Sequence, residues 1–381
     1  MAEKKKGRVY YYRMRTPEKR LEANVKIAAM VAVAVVVGLI AAFALAFFFG
    51  AQPEDVPVVS APPAELPQDA PPVLALPEAP VERLEPPPPG GGPAMRRDCA
   101  DCPPLVVVPA GSFSMGVRAD EAGGSGVSPS MIASESPAHG VTFQKPFALQ
   151  QTEVTRRQFE AFVKDSGHQA AGCTVFNGTD WVFDLGKSWR DPGFYQDEDH
   201  PVVCVSRTDA QAYVDWLSEK AGVAYRLPSE SEWEYAARAR VTGAYVWGND
   251  MTAACTHANV AGSTFMSRYK GRPTSMIFAC DARHAETSPV AQYKVNAFGL
   301  YDMYGNVREL TADCWNNGYR DVAQDGAARM TGDCGAAVSR GGGWFDPPVN
   351  LRTTRRLRAD AGERRADQGF RVARDLDEPG F

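Results

Sequence analysis

From Ile27 to Gly50 the chain runs 24 residues without a charge, IAAMVAVAVVVGLIAAFALAFFFG. As a helix at 1.5 Å per residue this run is about 36 Å long, enough to cross a hydrocarbon core with some tilt. A cleaved signal peptide would have a shorter flank and an apolar region of about 7–15 residues. The run is therefore expected to be an uncleaved single-pass anchor. Residues 1–26 carry nine Lys or Arg against three acidic residues. By the positive-inside rule this basic segment stays in the cytoplasm. Everything after Gly50 is then expected outside the inner or cytoplasmic membrane, in a periplasmic or extracellular space. The whole chain has a net charge of -5, so the body beyond the basic leader is more acidic still, which argues against nucleic acid as a partner.

Residues 51–98 contain 14 prolines, with Pro86 to Pro89 followed by three glycines. Such a segment buries too little apolar surface to fold, and proline stiffens it. It reads as a disordered spacer, reaching at most about 150 Å if fully extended as polyproline II. All eight cysteines lie beyond the apolar run, at Cys99, Cys102, Cys173, Cys204, Cys255, Cys280, Cys314 and Cys334. An even number in an exported domain points to disulfides. Cys99 and Cys102 have no second CxxC or close histidine to complete a metal site, which favours a local disulfide.

The folded domain is expected over 99–375, followed by a tail at 376–381. The apolar run Leu105 to Pro109, ended by Ala110-Gly111, reads as a buried strand. Three helices follow from caps and periodicity. Thr155 and Gln158 form a capping box, with Phe159, Phe162 and Val163 as the inner stripe and Gly167 as terminator. Ser206 caps a second helix with Ala210, Tyr213, Val214 and Leu217 inward and Gly222 at its end. Ser229 and Glu232 cap a third, which buries Trp233, Ala236 and Ala237. After Arg240 the chain is rich in Gly, Asn and aromatics, with short strand candidates, few helix signals and a need for staples.

Seven blocks then occur in order: Val108-Pro-Ala-Gly-Ser-Phe-Ser-Met-Gly116, Glu153-Val-Thr155, His200-Pro-Val-Val-Cys-Val-Ser206, Tyr225-Arg-Leu-Pro-Ser-Glu-Ser-Glu-Trp-Glu-Tyr-Ala-Ala-Arg238, Asn296-Ala-Phe-Gly-Leu-Tyr-Asp-Met-Tyr-Gly-Asn-Val-Arg-Glu309, Arg340-Gly-Gly-Gly-Trp344 and Gly369-Phe-Arg-Val-Ala373. Together they resemble the sulfatase-modifying-factor, or formylglycine-generating-enzyme, family over nearly all of 103–375. The resemblance implies an α/β (α+β) fold with much irregular structure, related to C-type lectins. It implies disulfides Cys173–Cys204, Cys255–Cys280 and Cys314–Cys334. It also implies calcium at the Asp302 side chain, the Gly305 and Val307 carbonyls and the Glu309 side chain, a set that suits a hard, oxygen-seeking cation. A second implied calcium site comprises Asn259, the Val260 carbonyl, Asp281 and the Arg283 carbonyl.

The family chemistry does not carry over. Formylglycine generators oxidise a peptide cysteine with O₂ and a Cu(I) ion held by two cysteines. Those two positions map to Asp346 and Leu351, the family serine to Gly343, and an active-site tryptophan to Arg308. Soft thiolates suit Cu(I), so no copper is expected. Iron is not expected either, because no two of the five histidines stand at helical ligand spacing. Asp346 and Arg308 would line the ancestral site, and Asp346 could act as a base only if burial raised its pKa. The arginines at 352, 355, 356, 358, 364 and 365 could bind an anion, although salt bridges are the commoner use.

Two functions stay open. One is a non-catalytic module binding an envelope protein or glycan. The other is a divergent oxidoreductase acting on an envelope protein or a siderophore-type substrate.

Overall fold

The structure is a computed structural model and describes residues 94–118, 121–122 and 126–376. The apolar run at 27–50, the basic leader and most of the proline-rich segment lie outside the described residues. Among the described residues no helix is long and apolar enough to cross a membrane.

Two four-stranded sheets carry the fold. The first has the order β1 (Met95–Arg96), β2 (Leu105–Val108), β5 (Phe147–Gln150) and β12 (Ala373–Asp375), all antiparallel. The folded body thus begins before Cys99, because Met95 and Arg96 pair with Val106 and Leu105. Asp98 fastens that start by accepting hydrogen bonds from Tyr225 and Arg374, both at 2.7 Å. The second sheet has the order β10 (Leu357–Asp360), β9 (Asp333–Arg340), β8 (Arg308–Trp315) and β11 (Gln368–Gly369). Here β11 lies parallel to β8 and the other pairs are antiparallel. Two hairpins stand apart: β3 (Gly111–Met115) with β4 (His139–Phe143), and β6 (Cys173–Phe176) with β7 (Trp181–Asp184).

The helices follow their caps. A short α1 (Pro129–Ser134) starts behind Ser128. Helices α2 (Arg156–Ser166), α3 (Arg207–Ala221) and α4 (Glu230–Arg238) each open with a reciprocal capping box, from Thr155, Ser206 and Ser229. Gly167 and Gly222 close α2 and α3 in the left-handed conformation that lacks a steric penalty only for glycine. Helices α2 and α3 bury Phe159, Phe162, Tyr213, Val214 and Leu217 in one core, and α4 buries Trp233, Ala236 and Ala237 in a second. Short α5 (Ala254–His257) and α6 (Ser263–Arg268) occupy the irregular stretch.

The region after Arg240 departs from expectation, since β8 and β9 are the longest strands, eight residues each. Strand β8 buries Glu309 and Asp313 along with Leu310 and Cys314, so the polar–apolar alternation that marks a half-buried strand is missing. All eight cysteines are paired, as Cys99–Cys102, Cys173–Cys204, Cys255–Cys280 and Cys314–Cys334. The last pair ties the far ends of β8 and β9 together.

Candidate functional site

Arg308 opens β8, and its backbone N–H is held by the Asp367 carbonyl at 2.9 Å. The Arg340-Gly-Gly-Gly-Trp-Phe-Asp346 segment leaves β9 and folds back across this point. Gly341 and Gly342 take positive φ, and the Trp344 N–H reaches the Asn306 carbonyl at 2.8 Å. The fold therefore places Asp346 against Arg308. Arg308 donates from Nε to Asp346 Oδ2 and from Nη2 to Oδ1, both at 2.7 Å. The Gly343 N–H (2.9 Å) and Asn350 Nδ2 (2.8 Å) supply two more donors. Four donors on two oxygens leave the carboxylate well satisfied.

Burial pushes the Asp346 carboxyl up, but Arg308, Asn350 and the Gly343 amide outweigh it and hold the group below the usual carboxylate range. The condition for a general base is thus reversed: Asp346 stays ionised and is tied to a guanidinium. Leu351 lies fully buried in a single turn after Pro347. With every cysteine in a disulfide, no thiolate is left to bind Cu(I), so the residues here do not fit the copper centre.

The sequence profile of the Sulfatase-modifying factor enzyme 1-like domain matches residues 92–376. The chain belongs to that family. It is 32% identical over 302 residues to a formylglycine-generating enzyme of Streptomyces coelicolor, covering 71% of this chain and 89% of the relative. It is also 30% identical over 320 residues to a mouse protein named inactive C-alpha-formylglycine-generating enzyme 2, covering 75% of this chain and 91% of the relative. Among solved structures, PvdO from Pseudomonas aeruginosa superposes with a TM-score of 0.63 at 36% identity, covering 75% of this chain and all of PvdO. The family therefore includes relatives named as active and as inactive.

The residues of the two expected calcium sets lie in the fold as follows. Asp302 is buried in a left-handed turn; its Oδ2 accepts the Ala291 N–H at 2.7 Å, and its Oδ1 has no partner. Glu309 is already engaged, with Arg371 bound to both oxygens at 2.6 Å and Trp233 Nε1 at 2.8 Å. Glu153, read in the sequence only as part of a motif, is fully buried beside them with neither carboxylate oxygen partnered. Burial, then Asp302 and Glu309, push the Glu153 carboxyl well up, and burial pushes Asp302 to about 6. Three buried carboxylates thus face the single Arg371 guanidinium, a charge imbalance that a divalent cation fits. No group of three or more His, Cys, Asp or Glu side chains among the described residues is arranged to hold a metal by itself. Backbone carbonyls such as those of Gly305 and Val307 would have to supply the remaining ligands.

For the second set, the segments bearing Asn259–Val260 and Asp281–Arg283 run side by side through Ser263 N–H to Cys280 O and Phe278 N–H to Ala261 O. Asn259 is buried with its Oδ1 unpartnered, whereas Asp281 is exposed and accepts from Thr264 and the Arg283 N–H.

Arg340 and most of the arginines between 352 and 365 are engaged in ion pairs. Arg340 is fully buried, pairs with Glu234 and donates to the carbonyls of Thr353, Thr354 and Arg355. Arg352 grips Glu135, Arg356 grips Glu230, Arg364 grips Asp209, and Arg365 pairs with Asp367. His200 is buried on Thr287 and pushed down to about 4 by burial. A separate groove of about 600 Å³, lined by Lys145, Phe147, Arg226, Glu232, Met330 and Asp375 among others, shares no residue with the Arg308–Asp346 pair.

Proposed function

We propose that this protein is a non-catalytic binding member of its family, anchored by one membrane span and held outside the cytoplasm on a proline-rich spacer. Its ligand is an envelope protein or glycan, and calcium staples its irregular regions. The observation that carries the reading is the ion pair of Arg308 with Asp346 at 2.7 Å, in the place of a family tryptophan and copper-binding cysteine. The pairing of all eight cysteines supports it, since no thiol remains for copper. Relatives named inactive occur in the family alongside relatives named active, so loss of the activity has precedent within it. Calcium would be held by Asp302, Glu309 and the Gly305 and Val307 carbonyls, with the second set around Asn259, Val260, Asp281 and Arg283.

The test is to incubate the full chain, in detergent, with Cu(I), O₂ and a cysteine-containing sulfatase peptide, and to follow the peptide mass. The expected result is an unchanged peptide. Conversion of its cysteine to formylglycine would overturn the reading.

The alternative, a divergent oxidoreductase acting on an envelope protein or siderophore-type substrate, draws on the otherwise complete family frame. It requires that an Arg308→Ala, Asp346→Ala double variant which still folds lose its cellular phenotype.

A further inference from the structure

Of the six arginines between 352 and 365, five have carboxylates of their own within 2.9 Å, or 3.0 Å for Arg365. Arg355 does not. Its nearest carboxylate oxygen among the described residues is Glu135 Oε1, at 3.8 Å. That oxygen is already bound by Arg352 Nη2 at 2.7 Å, and the other Glu135 oxygen accepts from Arg352 Nη1 and Thr354 Oγ1, both at 2.7 Å. The one hydrogen bond of the Arg355 side chain runs from Nε to Asn350 Oδ1 at 3.0 Å. Its backbone is fixed, with the N–H on the Arg352 carbonyl at 2.9 Å and the carbonyl on Arg340 Nη1 at 2.7 Å. The guanidinium is therefore held in place while its closest anion, 3.8 Å from Nη1, is already engaged by Arg352, and 15% of the side chain stays open to solvent.

Arg355 belongs to the ancestral site. Asn350, which accepts from Arg355 Nε, donates its own amide N–H to Asp346 Oδ1. Asp346 in turn holds Arg308, whose side chain is 16% exposed and whose Nε and Nη2 are both turned toward Asp346. An amide and a carboxylate thus link two arginines, each with a partly exposed side chain. Among these arginines Arg355 is the most weakly paired: Asp346 pairs with Arg308, Asp367 and Glu363 pair with Arg365, and Arg352 and Arg355 share the one Glu135 carboxylate. Burial, together with repulsion from Arg352 and Arg308, lowers the Arg355 pKa despite the pull of Glu135 and Asp346. A largely buried cation with only a shared, distant carboxylate is costly. A planar guanidinium with free donors makes its strongest contacts with a carboxylate, through two parallel charge-assisted hydrogen bonds.

We infer that Arg355, with the partly exposed Arg308 beside it, is the anchor for one carboxylate group of the ligand that this module binds. The inference rests on the binding-module reading above and gives that site its ligand chemistry. Arg352 and Arg355 have one carboxylate between them, so one further negative charge matches the pair, and a carboxylate is preferred to a phosphate dianion.

The experiment uses the full chain in detergent at low ionic strength, with acetate as the probe, followed by saturation-transfer NMR and by melting temperature. Chloride at equal ionic strength is the control, and phosphate is the competitor. Wild type is expected to bind acetate saturably, and Arg355→Gln to bind it at least tenfold more weakly. Arg355→Lys, which keeps the charge and loses the fork, should fall between them. In acetate-free buffer Arg355→Gln should melt at or above wild type, because it removes a guanidinium that shares its nearest carboxylate with Arg352. Equal acetate binding by wild type and Arg355→Gln, tighter binding of phosphate than acetate, or a lower melting point for Arg355→Gln without acetate would each overturn the assignment. Failure of acetate to bind wild type, with the sulfatase peptide still unconverted, would remove this ligand chemistry and leave the binding-module reading standing. Peptide conversion would remove the binding-module reading instead.

Discussion

Asp346→Asn is the most informative single change. It removes the negative charge from a site where the carboxylate accepts two Arg308 donors, the Gly343 N–H and Asn350 Nδ2. An asparagine oxygen can keep only part of that set, and its NH₂ group would face donors. Breaking a buried pair from one side costs about 3–5 kcal/mol, because the remaining charge is left uncompensated. Here Asp367 lies 3.4 Å from Arg308 and the Arg308 side chain is partly exposed, so the lower end of that range, about 3 kcal/mol, is expected. Arg308→Gln leaves Asp346 buried with only its two remaining donors and should cost at least as much. The double variant should cost less than the two singles together, by about 2 kcal/mol, since the groups are in direct contact. Urea unfolding followed by tryptophan fluorescence, with disulfides intact, reads all three. A cost below about 1 kcal/mol for Asp346→Asn, with no coupling to Arg308, is what exposed pairs give, and it would refute the reasoning.

Three further outcomes follow from the same structure. Replacing both Cys173 and Cys204 by alanine releases a constraint across a sequence separation of 31 and should lower stability by about 3–4 kcal/mol, measured by denaturant titration. Asp313, buried beside Glu230, has its carboxyl pushed up to about 7 by burial first and by Glu230 second. A carboxyl raised in the folded state adds stability that is present below its unfolded pKa near 4 and is lost as pH rises to about 7. The stability of wild type relative to Asp313→Asn should therefore fall across that window and level off above it; a flat difference would show that Asp313 does not titrate there. Calcium at about a hundred times its Kd should add about 2.7 kcal/mol, and Asp302→Ala should abolish the response. Equal melting in calcium and in chelator would speak against the calcium site.

What could be read from the sequence was local. Thr155, Ser206 and Ser229 act within one helical turn, and each caps its helix where the sequence placed it. Helix α1 carried the same kind of signal, Ser128 followed by Pro129, but its six residues bury no side chain and so show no apolar stripe. What escaped was long-range. Arg340 and Glu234 are 106 residues apart, and Arg352 and Glu135 are 217 apart, so nothing local pairs them. Family resemblance marked Arg308 and Asp346 as departures. Only the fold showed that the two replacements answer each other as an ion pair. Glu153 was hidden for a related reason, because a carboxylate in a short strand-to-helix turn gives no sign that its oxygens lack partners.

The measurement that bears most directly on the central claim is a count of free thiols and bound copper in the same preparation. The full chain would be loaded with Cu(I) under reducing-agent-free, anaerobic conditions, assayed for metal, then denatured and labelled with a thiol reagent. The account predicts no labelled cysteine and no stoichiometric copper, because the eight cysteines form four disulfides and the two copper-ligand positions map to Asp346 and Leu351. Two labelled cysteines with one copper per chain would contradict it.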